Sequence, residues 1–198
     1  MNPTDLAQEY MTALRSTRFA DLVPLVTAGV GWGAIADVAP AHALIRVSQD
    51  TAFEPDEEGG HAFVIPVRVE STVTPEAFDP AAAVRDGGAV DLVAFHPAKP
   101  HRWALRCGNA EWLGAIEPQY LAPDSVRVWR TPLAWLQAGC RGIVLLSPER
   151  VSRYRTLSCL HSIVAEDLEH ASELRRILER PWPAPQVITL QTEARHAA

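Results

Sequence analysis

Three acids fall within one short stretch near the end of the chain, Glu166, Asp167 and Glu169, in the segment SIVAEDLEH. Carboxylate oxygens so clustered are the hard donors that a divalent cation takes. A simpler reading needs no metal. Acids at a helix start, with Arg175, Arg176 and Arg180 toward its end, complement the helix dipole by themselves. A second set of polar groups, Arg130, Thr131 and Ser147, directly follows the apolar runs VRVW and GIVLL. If those runs are parallel strands of an open α/β sheet, all these groups gather at the strands' carboxyl ends, where such sheets carry their functional groups.

Other combinations offer less chemistry. Cys159 and His161 lie two apart, a spacing that in a strand points both side chains to one face, but no third orienting group accompanies them. His96, His101 and Cys107 match no zinc spacing and read as residues of a hairpin turn. The glycines around Trp32 in GVGWGAIAD fit no nucleotide fingerprint and precede no lysine, so the segment reads as a turn. Trp103, Trp112, Trp129 and Trp135 are first of all core side chains, with a base-stacking platform as their functional alternative.

The elements that must position these residues follow from periodicity. Leu6, Tyr10, Ala13 and Leu14 recur on one helical face after a capping Thr4 or Asp5. FADLVPLVTAGV predicts a second helix. HALIRVSQD and HAFVIPVRVES, flanking EPDEEGG, predict antiparallel strands. GGAVDLVAFHP and HRWALRCG predict another pair joined by PAKP. NAEWLGAIEPQYL reads as a short helix or irregular cover. Beyond it, VRVW, GIVLL, HSIVA and QVITL are brief β-branched runs separated by helical patterns, a β-α-β-α-β-α-β order that predicts a partly parallel sheet. Thr131-Pro132 and Ser147-Pro148 each set a capping hydroxyl before a proline suited to the first helical position. In the last helix Leu168, Ala171, Leu174 and Leu178 form one stripe, and Pro181, Pro183 and Pro185 end it. The tail QTEARHAA is expected to fray.

At 198 residues, 47% apolar and 21% charged, the chain has the composition of an ordinary globular domain with a sizeable core. No run approaches the ~20 apolar residues of a membrane span. The N-terminus has no secretory pattern, so a cytoplasmic location is expected. Cys107, Cys140 and Cys159 are odd in number and widely spaced, as expected of small reduced core residues. A net charge of −6 argues against nonspecific nucleic-acid binding by the whole surface. Every basic side chain but Lys99 is an arginine, so a single arginine carries little information.

In the order of its elements the chain resembles the toprim region of bacteriophage and mobile-element DNA primases. HAFVIPVRVES followed by GGAVDLVAFHPAKPHRWALRCGNAEWLG is similar to the β-rich part that precedes the toprim fold. VRVWRTPLAWLQAGCRGIVLLS is similar to its first strand, helix and second strand. HSIVAEDLEHASELRRILERPWPAPQVITL is similar to the segment that carries its aspartate pair. The likeness covers residues 60 to 190. It implies an α/β fold in which N-terminal helices (1–40) and an antiparallel β-rich subdomain (41–122) precede a toprim-like, Rossmann-like, mostly parallel sheet with flanking helices (123–190) and a tail (191–198).

The departures bear on function. Arg130 and Thr131 stand where the family has a glutamate and a glycine. Glu166 and Leu168 stand at its two aspartates, with Asp167 between them, and Ala171 replaces the glycine that follows. Toprim chemistry uses those carboxylates to hold magnesium, so the resemblance implies a retained scaffold without ordinary metal binding. Arg130 would pair with Glu166 or Asp167, its fixed charge replacing the ion's. The expected function is a non-catalytic toprim-like protein of a phage, prophage or plasmid-type replication system, acting as an interaction or nucleic-acid-associated module. A protein partner is expected, with no membrane partner and no cofactor. Arg102, Arg106, Arg127, Arg130 and Arg141, together with Thr131 and Ser147, are its candidate binding residues. The alternative is a metal-dependent nuclease or primase-related enzyme that uses Glu166, Asp167 and Glu169 with Mg2+. A third reading is an unrelated α/β enzyme with Cys159 or Cys140 as nucleophile.

Overall fold

The computed structural model describes residues 3–48, 52–68, 89–114 and 125–179. QVITL, Arg180, Pro181, Pro183, Pro185, the tail and the insertion after HAFVIPVRVES lie outside the described residues. So do residues 115–121 of the expected irregular cover.

Three helices come first: α1 (Pro3–Ser16), α2 (Phe19–Thr27) and α3 (Trp32–Val38). Pro3 opens α1, so Thr4 and Asp5 sit in its first turn and not at its cap. The expected apolar face holds, with Leu6 and Tyr10 buried and Ala13 and Leu14 packed beside them. The Tyr10 hydroxyl donates to the carbonyls of Ala39 and Val38 at 2.5 and 3.2 Å, tying α1 to the end of α3. The segment read as a turn around Trp32 is a helix. Gly29, at φ +91°, makes the turn, and the chain then coils so that Ala34 and Ile35 reach the core.

The first sheet holds β1 (Ala41–Val47), β2 (Phe53–Pro55), β3 (Gly60–Arg68), β4 (Ala89–Phe95) and β5 (Trp103–Leu105) in the order β2-β1-β3-β4-β5, all antiparallel. Both expected antiparallel pairs are present, and β2, which overlaps the segment expected as a turn, adds an edge strand. One face buries Ala62, Val64, Leu92 and Ala94 under α1. The other directs Phe63, Ile65, Val93 and Phe95 toward α2 and α3. Alternation of side chains along a strand makes this division possible.

The second sheet is mixed. It contains β6 (Trp112–Leu113), β7 (Ser125–Trp129), β8 (Ile143–Leu145) and β9 (Ser162–Val164) in the order β6-β8-β7-β9. β7 is parallel to both β8 and β9, whereas β6 runs antiparallel to β8. Thus residues read as a helix or irregular cover supply an edge strand. The connecting helices are α4 (Pro132–Gln137) and α5 (Arg150–Ser158), and α6 (Leu168–Leu178) follows β9. Between α4 and β8, Gly142 at φ +86° leaves no room for a side chain, since a Cβ would stand 2.2 Å from the Arg127 carbonyl oxygen.

Val144 and Leu146 point into the same core as Phe63 and Phe95, together with Leu133, Trp135 and Leu136 of α4. Val126, Val128, Ile143 and Leu145 cover the opposite face with Leu157 of α5 and Leu174 of α6. β6, from before residue 122, pairs with β8 after it, and one apolar cluster holds residues from both sides of that position. No helix among the described residues is long and apolar enough to cross a membrane.

Candidate functional site

Capping decides where the polar residues of the second sheet end up. After β7 the Thr131 hydroxyl accepts the Ala134 N–H at 3.1 Å, and Pro132 opens α4 as expected. That sharp start leaves Arg130 projecting from the carboxyl end of the strand. After β9 the Asp167 carboxylate accepts the His170 N–H at 2.7 Å and caps α6. Because β7 and β9 are adjacent and parallel, with Arg127 opposite Val164, both caps lie on one edge of the sheet.

Arg130 and the acids meet there. The Arg130 backbone N–H donates to Glu166 Oε1 at 2.6 Å. Its guanidinium makes a two-pronged contact with Asp167, Nη1 to Oδ2 at 2.5 Å and Nη2 to Oδ1 at 3.0 Å. Nη1 also reaches Glu166 Oε2 at 3.4 Å, and the carboxylates of Glu173 and Glu169 lie at 3.6 and 3.9 Å. One guanidinium is thus shared among four carboxylates. Planar, forked pairing of this kind is among the stronger charge-assisted arrangements.

The titration behaviour follows from these contacts. Hydrogen bonding from Arg130, and then from the His170 amide, brings the Asp167 carboxyl down to about 2. The same bond to Asp167 pushes the Arg130 guanidinium further up. His170 is buried behind the pair, and its Nδ1 accepts the Glu166 N–H at 3.3 Å. Burial, reinforced by the Arg130 charge, lowers its pKa and favours the neutral ring.

The remaining expected residues have other engagements. The Thr131 hydroxyl is buried in its capping bond. Ser147 does not cap: α5 begins at Arg150 behind Glu149, so Pro148 precedes the helix. The Ser147 hydroxyl instead accepts the Glu149 N–H at 3.2 Å. Arg106 clasps both oxygens of Glu9 at 3.0 Å, bracing α1 against the first sheet. The Arg127 guanidinium lies 5.3 Å from the Trp129 ring centre, and Trp129 donates to the Arg141 carbonyl at 2.7 Å. Arg102 is exposed in the turn before β5.

Among the described residues neither Cys159 nor Cys140 is hydrogen-bonded to a side-chain base. Cys159 ends α5 and does not share a strand with His161, and it is exposed where a core position was expected. Cys140 is partly buried, and desolvation pushes its thiol up to about 12, away from the reactive thiolate. Leu168, expected in the apolar stripe of α6, is 86% exposed, and His170 takes its place beside Leu174.

Further residues around Arg130 carry only a faint sequence signal. Glu173 and His170 complete the cluster around Arg130, and their three- and four-residue spacing from Asp167 and Glu169 was the available signal. An open groove of about 960 Å³ runs along the carboxyl ends of β7 and β8, with Arg130 and Trp129 on its wall. Arg150 and Arg153 of α5 line it as well.

Chemically, the cluster is an acidic cradle whose centre is filled by a permanent cation. Among the described residues no group of three or more His, Cys, Asp or Glu side chains is arranged to hold a metal ion. Scans of protein-family models, of curated proteins and of solved structures find no match to the chain.

Proposed function

We propose that the chain is a degenerate toprim-like protein, built on the scaffold of a metal-dependent site but working as a non-catalytic interaction module. A protein of a phage or mobile-element replication system fits this reading, with a protein partner favoured by the acidic net charge and local arginines available for phosphate contacts. The observation that carries it is the Arg130 guanidinium lying within 4.0 Å of Glu166, Asp167, Glu169 and Glu173. A divalent ion in the same place would bring two like charges together in a partly desolvated site, which Coulomb repulsion opposes. With Arg130 in position its single positive charge is shared among the four carboxylates and takes the place an ion would occupy.

Calorimetric titration with Mg2+ or Mn2+ tests this directly. The wild-type chain is expected to release no binding heat and to melt at the same temperature with and without millimolar metal. Arg130→Glu, which restores an acid at that strand end, is expected to acquire metal-dependent thermal stabilisation. Stoichiometric metal binding by the wild type would overturn the proposal and favour the enzyme that uses Glu166, Asp167 and Glu169.

A further inference from the structure

Arg130 has carboxylates to spare, but three other guanidiniums in the same groove have none. Arg150, Arg153 and Arg176 all line it, and none has a carboxylate within 4.0 Å among the described residues. Arg150 is turned toward backbone, donating to the carbonyls of Arg176 and Glu179 at the end of α6. Arg153 is the unusual one. It is half-buried, and its Nε donates to the Ser147 carbonyl at 2.5 Å, which holds the guanidinium plane in place. Its two Nη groups have no partner among the described residues. A half-buried cation without an anion nearby is incompletely stabilised, and a ligand anion in the groove would pair with its free Nη groups. Burial accordingly lowers the pKa of Arg153, with no nearby acid to oppose it.

The groove also presents flat apolar surface. Trp103, from the first sheet, and Trp129, from the second, both line it and are each half-buried. Guanidinium forks match phosphate oxygens in pairs, and indole faces stack on planar rings.

We propose that this groove binds a phosphate ester joined to an aromatic ring, the chemistry of a nucleotide, with Arg153 as the phosphate ligand, Arg150 and Arg176 flanking it, and Trp103 and Trp129 supporting the ring. The proposal rests on the binding-module reading only in taking this sheet edge as the working face. It uses neither Arg130 nor any metal.

The test is calorimetric titration of the full chain, in EDTA, with inorganic phosphate, adenosine monophosphate and a ten-nucleotide single-stranded DNA. Adenosine monophosphate is expected to bind about tenfold more tightly than inorganic phosphate, the stacked ring supplying the difference. Tighter binding of the oligonucleotide assigns the groove to a strand, and equal binding assigns it to a free nucleotide. Arg153→Gln is expected to weaken binding about tenfold and Arg153→Lys less, whereas Lys99→Gln, at an exposed position outside the groove, leaves it unchanged. Arg176→Gln, at an exposed helix position, gives a second reading should Arg153→Gln disturb the Ser147 contact. No binding heat from any probe overturns the proposal, as does unchanged affinity in both the Arg153→Gln and Arg176→Gln variants. Equal affinity for phosphate and adenosine monophosphate overturns the assigned role of the tryptophans. Because EDTA is present throughout, these outcomes are independent of the metal titration of Arg130 variants.

Discussion

The Asp167 carboxylate has two partners at once: it caps α6 through the His170 amide and receives both Nη groups of Arg130. Both interactions favour the charged form, so the folded carboxyl titrates at about 2 against an ordinary 3.8. Its contribution to stability is therefore complete above about pH 4 and is lost as the pH falls through the folded value. His170 shows the same sign in a higher window. Its folded pKa lies below the ordinary 6.5, so the neutral ring stabilises the fold above that value and protonation erodes it below. Melting temperatures of the wild type and Asp167→Asn, followed into acid, are expected to converge as pH falls from about 4 toward 2. A gap that stays constant to the acid limit would show that Asp167 works by shape and not by charge. The types of these residues were legible in the sequence, whereas the meeting of Arg130 with an acid depended on an inferred strand order. The number of acids was not legible, because Glu173 reaches Arg130 only through the placement of α6.

Capping and burial explain most of what separates expectation from structure at the level of elements. Thr131-Pro132 reads correctly because cap and first helical residue are adjacent and local. Ser147-Pro148 has the same local signal, yet its hydroxyl holds the Glu149 amide and the helix starts at Arg150. The stripe expected along α6 shifts because Asp167 caps the helix and turns Leu168 outward, leaving His170 and Leu174 to face the core. In β4 the fully buried Asp91 has a role that its sequence context hides. Its oxygens accept the amides of Leu92, Cys107, Asn109 and Ala110 at 2.7–3.2 Å, closing the loop after β5 around one carboxylate. Asp91→Ala strands those amides and is expected to destabilise the protein by about 3–5 kcal/mol, read from urea unfolding. A loss below about 1 kcal/mol would mean that water replaces the carboxylate at little cost.

Across the whole molecule the two sheets share a core. Leu25 and Ile35 of the N-terminal helices, Phe63 and Phe95 of the first sheet, and Leu136, Val144 and Leu146 from the second half belong to one apolar cluster. Neither sheet can open without exposing that surface, so the chain is expected to unfold in one cooperative step. Tryptophan fluorescence and far-ultraviolet circular dichroism should give coincident melting curves. Leu136→Ala, at a fully buried position, is expected to lower that single transition by about 2–5 kcal/mol without splitting it. Two separate transitions would instead restore independent units divided near residue 122.

The sequence by itself determined what depends on neighbours along the chain. Apolar runs set off by turn residues marked β1, β3 and β4, short β-branched runs marked β7, β8 and β9, and a hydroxyl before proline marked the start of α4. The tertiary structure alone decided what depends on strand order. Placing β9 parallel to β7 brings two caps to one edge and surrounds Arg130 with acids. Placing β6 beside β8 joins the two halves of the chain. The groove that leaves Arg153 without a carboxylate lies along that same edge. Contacts between residues tens of positions apart leave no periodic trace, because local geometry does not fix which strands become neighbours.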